Sequence, residues 1–149
     1  MGYIFKKTAL IYMRHLIIIL LIFSCIPDDY ENFIQPELQE YYNNFLIEAE
    51  NRNIQLPDKS VLMYIDDIPG YNGLTYKRKN SIKIIISKEA MSYSKGYDYR
   101  IESTIFHELG HGFLNREHVE ENSIMNINRD KSVYLENREF YINELFGVN

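Results

Sequence analysis

Apolar residues recur every three or four positions between residues 36 and 52. They are Leu38, Tyr41, Tyr42, Phe45, Leu46 and Ala49. This spacing places them on one side of a helix, and Pro36 suits its first turn. The pattern therefore predicts an amphipathic helix from Pro36 to Arg52 whose apolar face packs into a core.

Shorter apolar runs further along the chain predict strands. These runs are Val61 to Ile65, Leu74 to Lys77 and Ile82 to Ser87. The last run is too apolar for an exposed edge, so we expect it inside a sheet. Leu74-Thr75-Tyr76 is the better candidate for the edge strand.

Two more helices are predicted in the second half of the chain. Asp98 is a suitable N-cap for a helix from Tyr99 to Leu114, in which Gly110 and Gly112 would allow another backbone to approach closely. Ser132 can cap a last helix from Val133 to Phe146, which Gly147 ends. Its inward residues would be Leu135, Ile142, Leu145 and Phe146. The predicted fold class is α+β, with a small mixed or antiparallel sheet packed on the first two helices and a C-terminal helix.

The N-terminus has the layout of a secretory signal. A basic stretch with Lys6, Lys7 and Arg14 precedes an apolar run from Leu16 to Phe23, which is too short for a spanning helix. We therefore predict a signal peptide over residues 1–24, a tether over 25–35 and a globular domain over 36–149.

Cys25 is the only cysteine of the chain. Ile22-Phe23-Ser24-Cys25 resembles a bacterial lipobox, which implies that Cys25 carries lipid as the first mature residue. The protein would then be an exported lipoprotein anchored on the periplasmic or cell-surface face of a membrane. The alternative is a buried free thiol at the end of an uncleaved helix.

The charge balance excludes one class of partner. Residues 1–24 hold three of the 16 Lys and Arg and none of the 21 Asp and Glu. The remaining chain carries 13 basic against 21 acidic residues, a net charge of −8. Such a domain lacks the basic excess expected for binding nucleic acid or an anionic lipid surface.

Three of the four histidines fall within twelve residues. His107-Glu108-Leu109-Gly110-His111 has the form H-E-x-x-H, and His118 follows. On a helix, His107 and His111 lie one turn apart on one face and can hold one zinc ion. Glu108 can then act as general base toward a metal-bound water.

The residues from His107 to Met125 resemble the metzincin zinc peptidases. That family has H-E-x-x-H-x-x-G-x-x-H followed by a methionine turn, which Ser123-Ile124-Met125 resembles. The spacing here is one residue longer. Asn115 tolerates the left-handed conformation that the family glycine adopts, so the helix would end there and His118 would be the third ligand. Glu117 is the alternative third ligand.

The resemblance implies a zincin-like fold and a zinc-dependent endopeptidase acting on a peptide or protein. Substrates of such enzymes bind along an edge strand. In this family a tyrosine can also stabilise the transition state. Tyr134 is the nearest one after the turn, but the chain has 13 tyrosines and the choice is left open. The alternative function is a non-catalytic, membrane-anchored binding module that zinc stabilises, for which Glu108 would have no role.

Overall fold

The computed structural model describes residues 31–92, 98–128 and 132–148. The strands are β1 (Phe33–Ile34), β2 (Ser60–Asp66), β3 (Gly73–Lys77) and β4 (Ser81–Ser87). The helices are α1 (Gln39–Asn51), α2 (Lys88–Ser92), α3 (Tyr99–Leu114), α4 (Ser132–Glu136) and α5 (Arg138–Phe146), and a 3₁₀ turn at Pro36–Leu38 precedes α1. The chain is therefore an α+β protein, as predicted.

The four strands form one mixed sheet in the order β1-β2-β4-β3. β1, β2 and β4 are parallel, and β3 runs antiparallel to β4. Six of the seven residues of β4 are buried, because this strand is flanked on both sides and covered by helices. The prediction that Ile82 to Ser87 lies inside the sheet and Leu74 to Tyr76 at its edge is confirmed.

The sheet begins earlier than the sequence suggested. Phe33 and Ile34, expected within the tether, pair in parallel with Leu62 and Met63 of β2. The Gln35 side chain also accepts a hydrogen bond from the Ile65 amide at 2.9 Å. A two-residue strand is too short to show alternation of apolar and polar residues, so the pattern could not reveal it.

One apolar core joins the sheet to the helices. α3 packs against β3, β4, α1 and α4. Phe45 of α1 lies at its centre, with ring centroids 5.2 Å from Phe106, 6.0 Å from Phe113 and 5.1 Å from Phe146. The helical face predicted between residues 36 and 52 is thus the face that α1 buries.

The predicted C-terminal helix is divided in two. α4 ends at Glu136, and α5 begins after Asn137, whose φ of −128° is not helical. As a consequence Leu135, expected to point inward, is 55% exposed, whereas Tyr134 is buried. Ile142, Leu145 and Phe146 are buried as predicted. Gly147 ends α5 in the left-handed conformation, with φ 70°.

Cys25 and the predicted signal peptide lie outside the described residues. In the part of the chain that the structure describes, no helix combines the length and the apolar character needed to cross a membrane.

Candidate metal centre

The helix that carries His107 and His111 has defined ends. The Asp98 carboxylate caps its start by accepting a hydrogen bond from the Arg100 amide at 2.8 Å. At its end Asn115 has φ 53° and ψ 29°, and the amides of Asn115 and Arg116 both donate to the Gly110 carbonyl. The prediction that Asn115 ends the helix in a left-handed conformation is confirmed. The reversal turns the following segment back toward the helix.

Glycines let α3 lie close to its neighbours. A Cβ at Gly112 would lie 2.8 Å from Cγ2 of Ile82, and one at Gly110 would lie 2.9 Å from Leu145 and 3.0 Å from the sulfur of Met125. The nearest atoms at both positions belong to side chains, so the prediction that another backbone approaches these glycines is wrong.

The rings of His107, His111 and His118 converge. Their Nε2 atoms are separated by 3.1 Å between His107 and His111, 3.1 Å between His107 and His118, and 3.0 Å between His111 and His118. Together they can hold a metal ion, with one ligand atom from each residue. The sequence prediction that these three residues form one cluster is confirmed.

Hydrogen bonds to carbonyl groups fix the tautomers of two of the rings. Nδ1 of His107 is 2.8 Å from the Ile124 carbonyl oxygen, and Nδ1 of His111 is 2.6 Å from that of Arg116. A carbonyl only accepts, so each Nδ1 carries the proton. In the neutral rings both Nε2 atoms then present lone pairs to each other. A shared cation relieves this contact, which is the arrangement of histidines that bind metals.

The triangle of nitrogens suits zinc. Zn–N bonds of about 2.0–2.1 Å in a tetrahedron separate two nitrogen ligands by about 3.3 Å, close to the distances found here. Burial also lowers the pKa of His111, which favours the neutral ring that a metal requires. The donor set therefore fits zinc with a fourth position for water.

Glu117, the alternative third ligand, points elsewhere. Its side chain is 83% exposed, and a carboxylate oxygen lies 3.6 Å from Nζ of Lys77. It lines the same cavity as the histidines but does not belong to their cluster. The geometry thus favours His118 over Glu117.

Polar contacts hold the segment that carries His118 and Met125. The Arg116 guanidinium and the Ser123 hydroxyl both bond to the carboxylate of Glu144 on α5, the latter at 2.6 Å. The Met125 amide donates to the same hydroxyl at 2.9 Å. Because Arg116 and Ile124 supply the carbonyls that orient His111 and His107, Glu144 fixes the frame of the histidine cluster.

Met125 is fully buried beneath this segment and packs on α3 at Gly110, between the two helical histidines. This is compatible with the predicted methionine turn. Tyr134 does not line the cavity beside the histidines, because its hydroxyl donates to the buried Glu102 at 2.9 Å.

Glu108 faces the cavity that the histidines line. This cavity has a volume of about 610 Å³ and lies between α3, β3 and the segments around residues 70–73 and 117–127. The hydroxyl of Thr75 lies 2.7 Å from Oε2 of Glu108. A Cβ at Gly73 would lie only 2.6 Å from Oε1 of Glu108. No local sequence pattern singles out Gly73 or Thr75, since both contacts join segments more than 30 residues apart.

Comparison of the chain with protein-family models, curated proteins and solved structures finds no match.

Proposed function

We propose that this protein is a zinc-dependent endopeptidase of the metzincin type with a zincin-like fold. The observation that carries the proposal is the convergence of three histidine Nε2 atoms, 3.0–3.1 Å apart, with the Glu108 carboxylate lining the same cavity. A purely structural zinc site closes its coordination with four protein ligands and does not require a glutamate beside an open cavity.

The roles of the residues follow from their chemistry. Zinc held by His107, His111 and His118 would lower the pKa of a bound water toward about 7 and polarise a substrate carbonyl. Glu108 accepts the proton of the attacking water and transfers it to the leaving amine. The Ile124 and Arg116 carbonyls keep the rings of His107 and His111 oriented, and Met125 supports the helix between them.

β3 supplies a place for an extended peptide. The Ser87 amide donates a hydrogen bond to the Asn72 carbonyl, and the Arg78 amide donates one to the Ser81 carbonyl. These two bonds lie at the ends of the ladder between β3 and β4. Since an antiparallel ladder alternates between bonded and non-bonded pairs, every second residue of β3 directs its N–H and C=O away from β4. These residues are Gly73, Thr75 and Lys77, and all three line the cavity. A peptide added along this edge would pass beside Glu108.

The proposal is tested by digesting a diverse peptide library with the full-length protein in detergent. The zinc-loaded protein should cut internal peptide bonds, and chelation should abolish cleavage until zinc is restored. If the zinc-loaded wild type cuts nothing, the endopeptidase function is wrong and the zinc-stabilised binding module becomes the better account.

We also propose that Cys25 carries lipid and anchors the protein on the outer side of a bacterial membrane. The support is the sequence Ile22-Phe23-Ser24-Cys25 after a basic and then apolar stretch. A fatty-acid probe should label the wild type in cells but not the Cys25→Ser variant. Equal labelling of both, or of neither, would contradict the anchor.

A further inference from the structure

The carboxylate of Glu108 lies against the edge strand β3. Glu108 as a whole residue is only 6% exposed. Oγ1 of Thr75 is 2.7 Å from Oε2 of this carboxylate and 3.0 Å from the main-chain oxygen of Glu108. An ionised carboxylate only accepts, so the hydroxyl donates to it, and a bond to a charged acceptor is stronger than one to a neutral carbonyl.

Gly73 makes room for this arrangement. A Cβ on Gly73 would lie 2.6 Å from Oε1, 2.7 Å from Cγ and 2.8 Å from Cδ of Glu108. Gly73 and Thr75 are two residues apart on β3, so they share one face of the sheet. One residue leaves space for the carboxylate, and the other donates a hydrogen bond to it.

The support beneath Thr75 is rigid. Thr75 pairs with Ile84 of the buried strand β4, and a β-branched side chain has few rotamers. The hydroxyl therefore reaches Glu108 from a fixed position on the sheet.

We propose that Thr75 is a positioning residue that holds the general base Glu108 in its working orientation, and that Gly73 is required for the same reason. This inference rests on the proposed peptidase function. A hydrogen bond from a neutral donor to a charged acceptor is strong enough to alter a rate about 10- to 100-fold when it orients a reacting group.

The test compares Thr75→Val, which removes the hydroxyl and keeps the shape, with the matched control Thr75→Ser, which keeps the hydroxyl. Both are made in the full-length, zinc-loaded protein and assayed on a peptide that the wild type cuts. Thr75→Val should lower kcat about 10- to 100-fold with KM within about twofold and zinc content unchanged. Thr75→Ser should recover most of the lost kcat.

Two further variants give independent readouts. Gly73→Ala should lower kcat while zinc stays bound, because the added methyl group displaces the flexible end of Glu108. In the metal-free protein, urea unfolding of Thr75→Val, Glu108→Ala and the double variant should show coupling, since each substitution removes one partner of the same hydrogen bond.

The outcomes separate this inference from the function on which it rests. No cleavage by the wild type overturns the peptidase function and the positioning role of Thr75 with it. An active wild type with unchanged kcat in Thr75→Val overturns the positioning role alone. An equal loss of kcat in Thr75→Val and Thr75→Ser also overturns it, and so does a loss of kcat that matches a loss of bound zinc. Additive changes in the free energy of unfolding for the substitutions at Thr75 and Glu108 overturn it as well.

Discussion

Two buried glutamates of helix α3 have different surroundings. Glu102 is completely buried and accepts hydrogen bonds from Tyr134 at 2.9 Å and from Arg138 at 2.7 and 2.9 Å. The Arg138 guanidinium also lies 2.6 Å from the carboxylate of Glu48 on α1, and its hydrogen bond to Glu102 raises the pKa of Arg138. Glu108, six residues later, accepts a hydrogen bond from the neutral hydroxyl of Thr75 and lines the cavity of the histidines.

The difference separates a structural role from a chemical one. Glu102 joins α1, α3, α4 and α5 through charge-assisted bonds, and these compensate for its desolvation. Glu108 accepts a hydrogen bond from a neutral donor and lines the cavity of the histidines. Of the two glutamates on this helix, Glu102 thus joins neighbouring elements of the fold, and Glu108 is the one proposed to act as a base.

The strongest test of this difference is catalytic. Glu108→Gln should reduce kcat/KM on a cleaved peptide by about 10²- to 10⁴-fold, the usual contribution of general base catalysis, with zinc still bound. Glu102→Gln, the matched control on the same helix, should lose less than about tenfold because it does not touch the cavity. Similar losses in the two variants would remove the distinction.

The second test measures stability, for which Glu102 should matter more than Glu108. Glu102→Gln should lower the free energy of unfolding by on the order of 3 kcal/mol, because Arg138 loses a buried partner while keeping Glu48. Glu108→Gln should change it by less than about 1 kcal/mol, or raise it, because a buried charge is replaced by a neutral amide. Urea unfolding monitored by circular dichroism measures both. A larger loss of unfolding free energy in Glu108→Gln than in Glu102→Gln would contradict the structural role assigned to Glu102.

Local patterns in the sequence were sufficient for much of the fold. The N-cap at Asp98 and the left-handed Asn115 gave both ends of α3, because capping depends on nearby residues. The five-residue α2 was missed, since it is too short to show helical periodicity. The break at Asn137 was also missed, because Leu135 lies at helical spacing from the buried residues although it faces solvent.

The residues of the candidate site also fall into two groups, those that local sequence patterns predicted and those that they did not. The histidines and Glu108 were predicted because their spacing within one helix and its following turn carries the chemistry. Thr75, Gly73 and Glu144 were not, because they reach the site across the fold, and a polar residue on a strand or helix gives no sign of its distant partner. Sequence reasoning thus predicted the residues proposed to hold metal and missed those that hold them in place.

The proposed zinc site consists of His107, His111 and His118, which together would bind one ion. Zinc analysis after dialysis of the full-length protein measures it most directly, with His118→Ala beside its neighbour Glu117→Ala as the control. We expect one zinc per chain in the wild type and in Glu117→Ala, and loss of zinc in His118→Ala. Zinc retained by His118→Ala and lost from Glu117→Ala would contradict it.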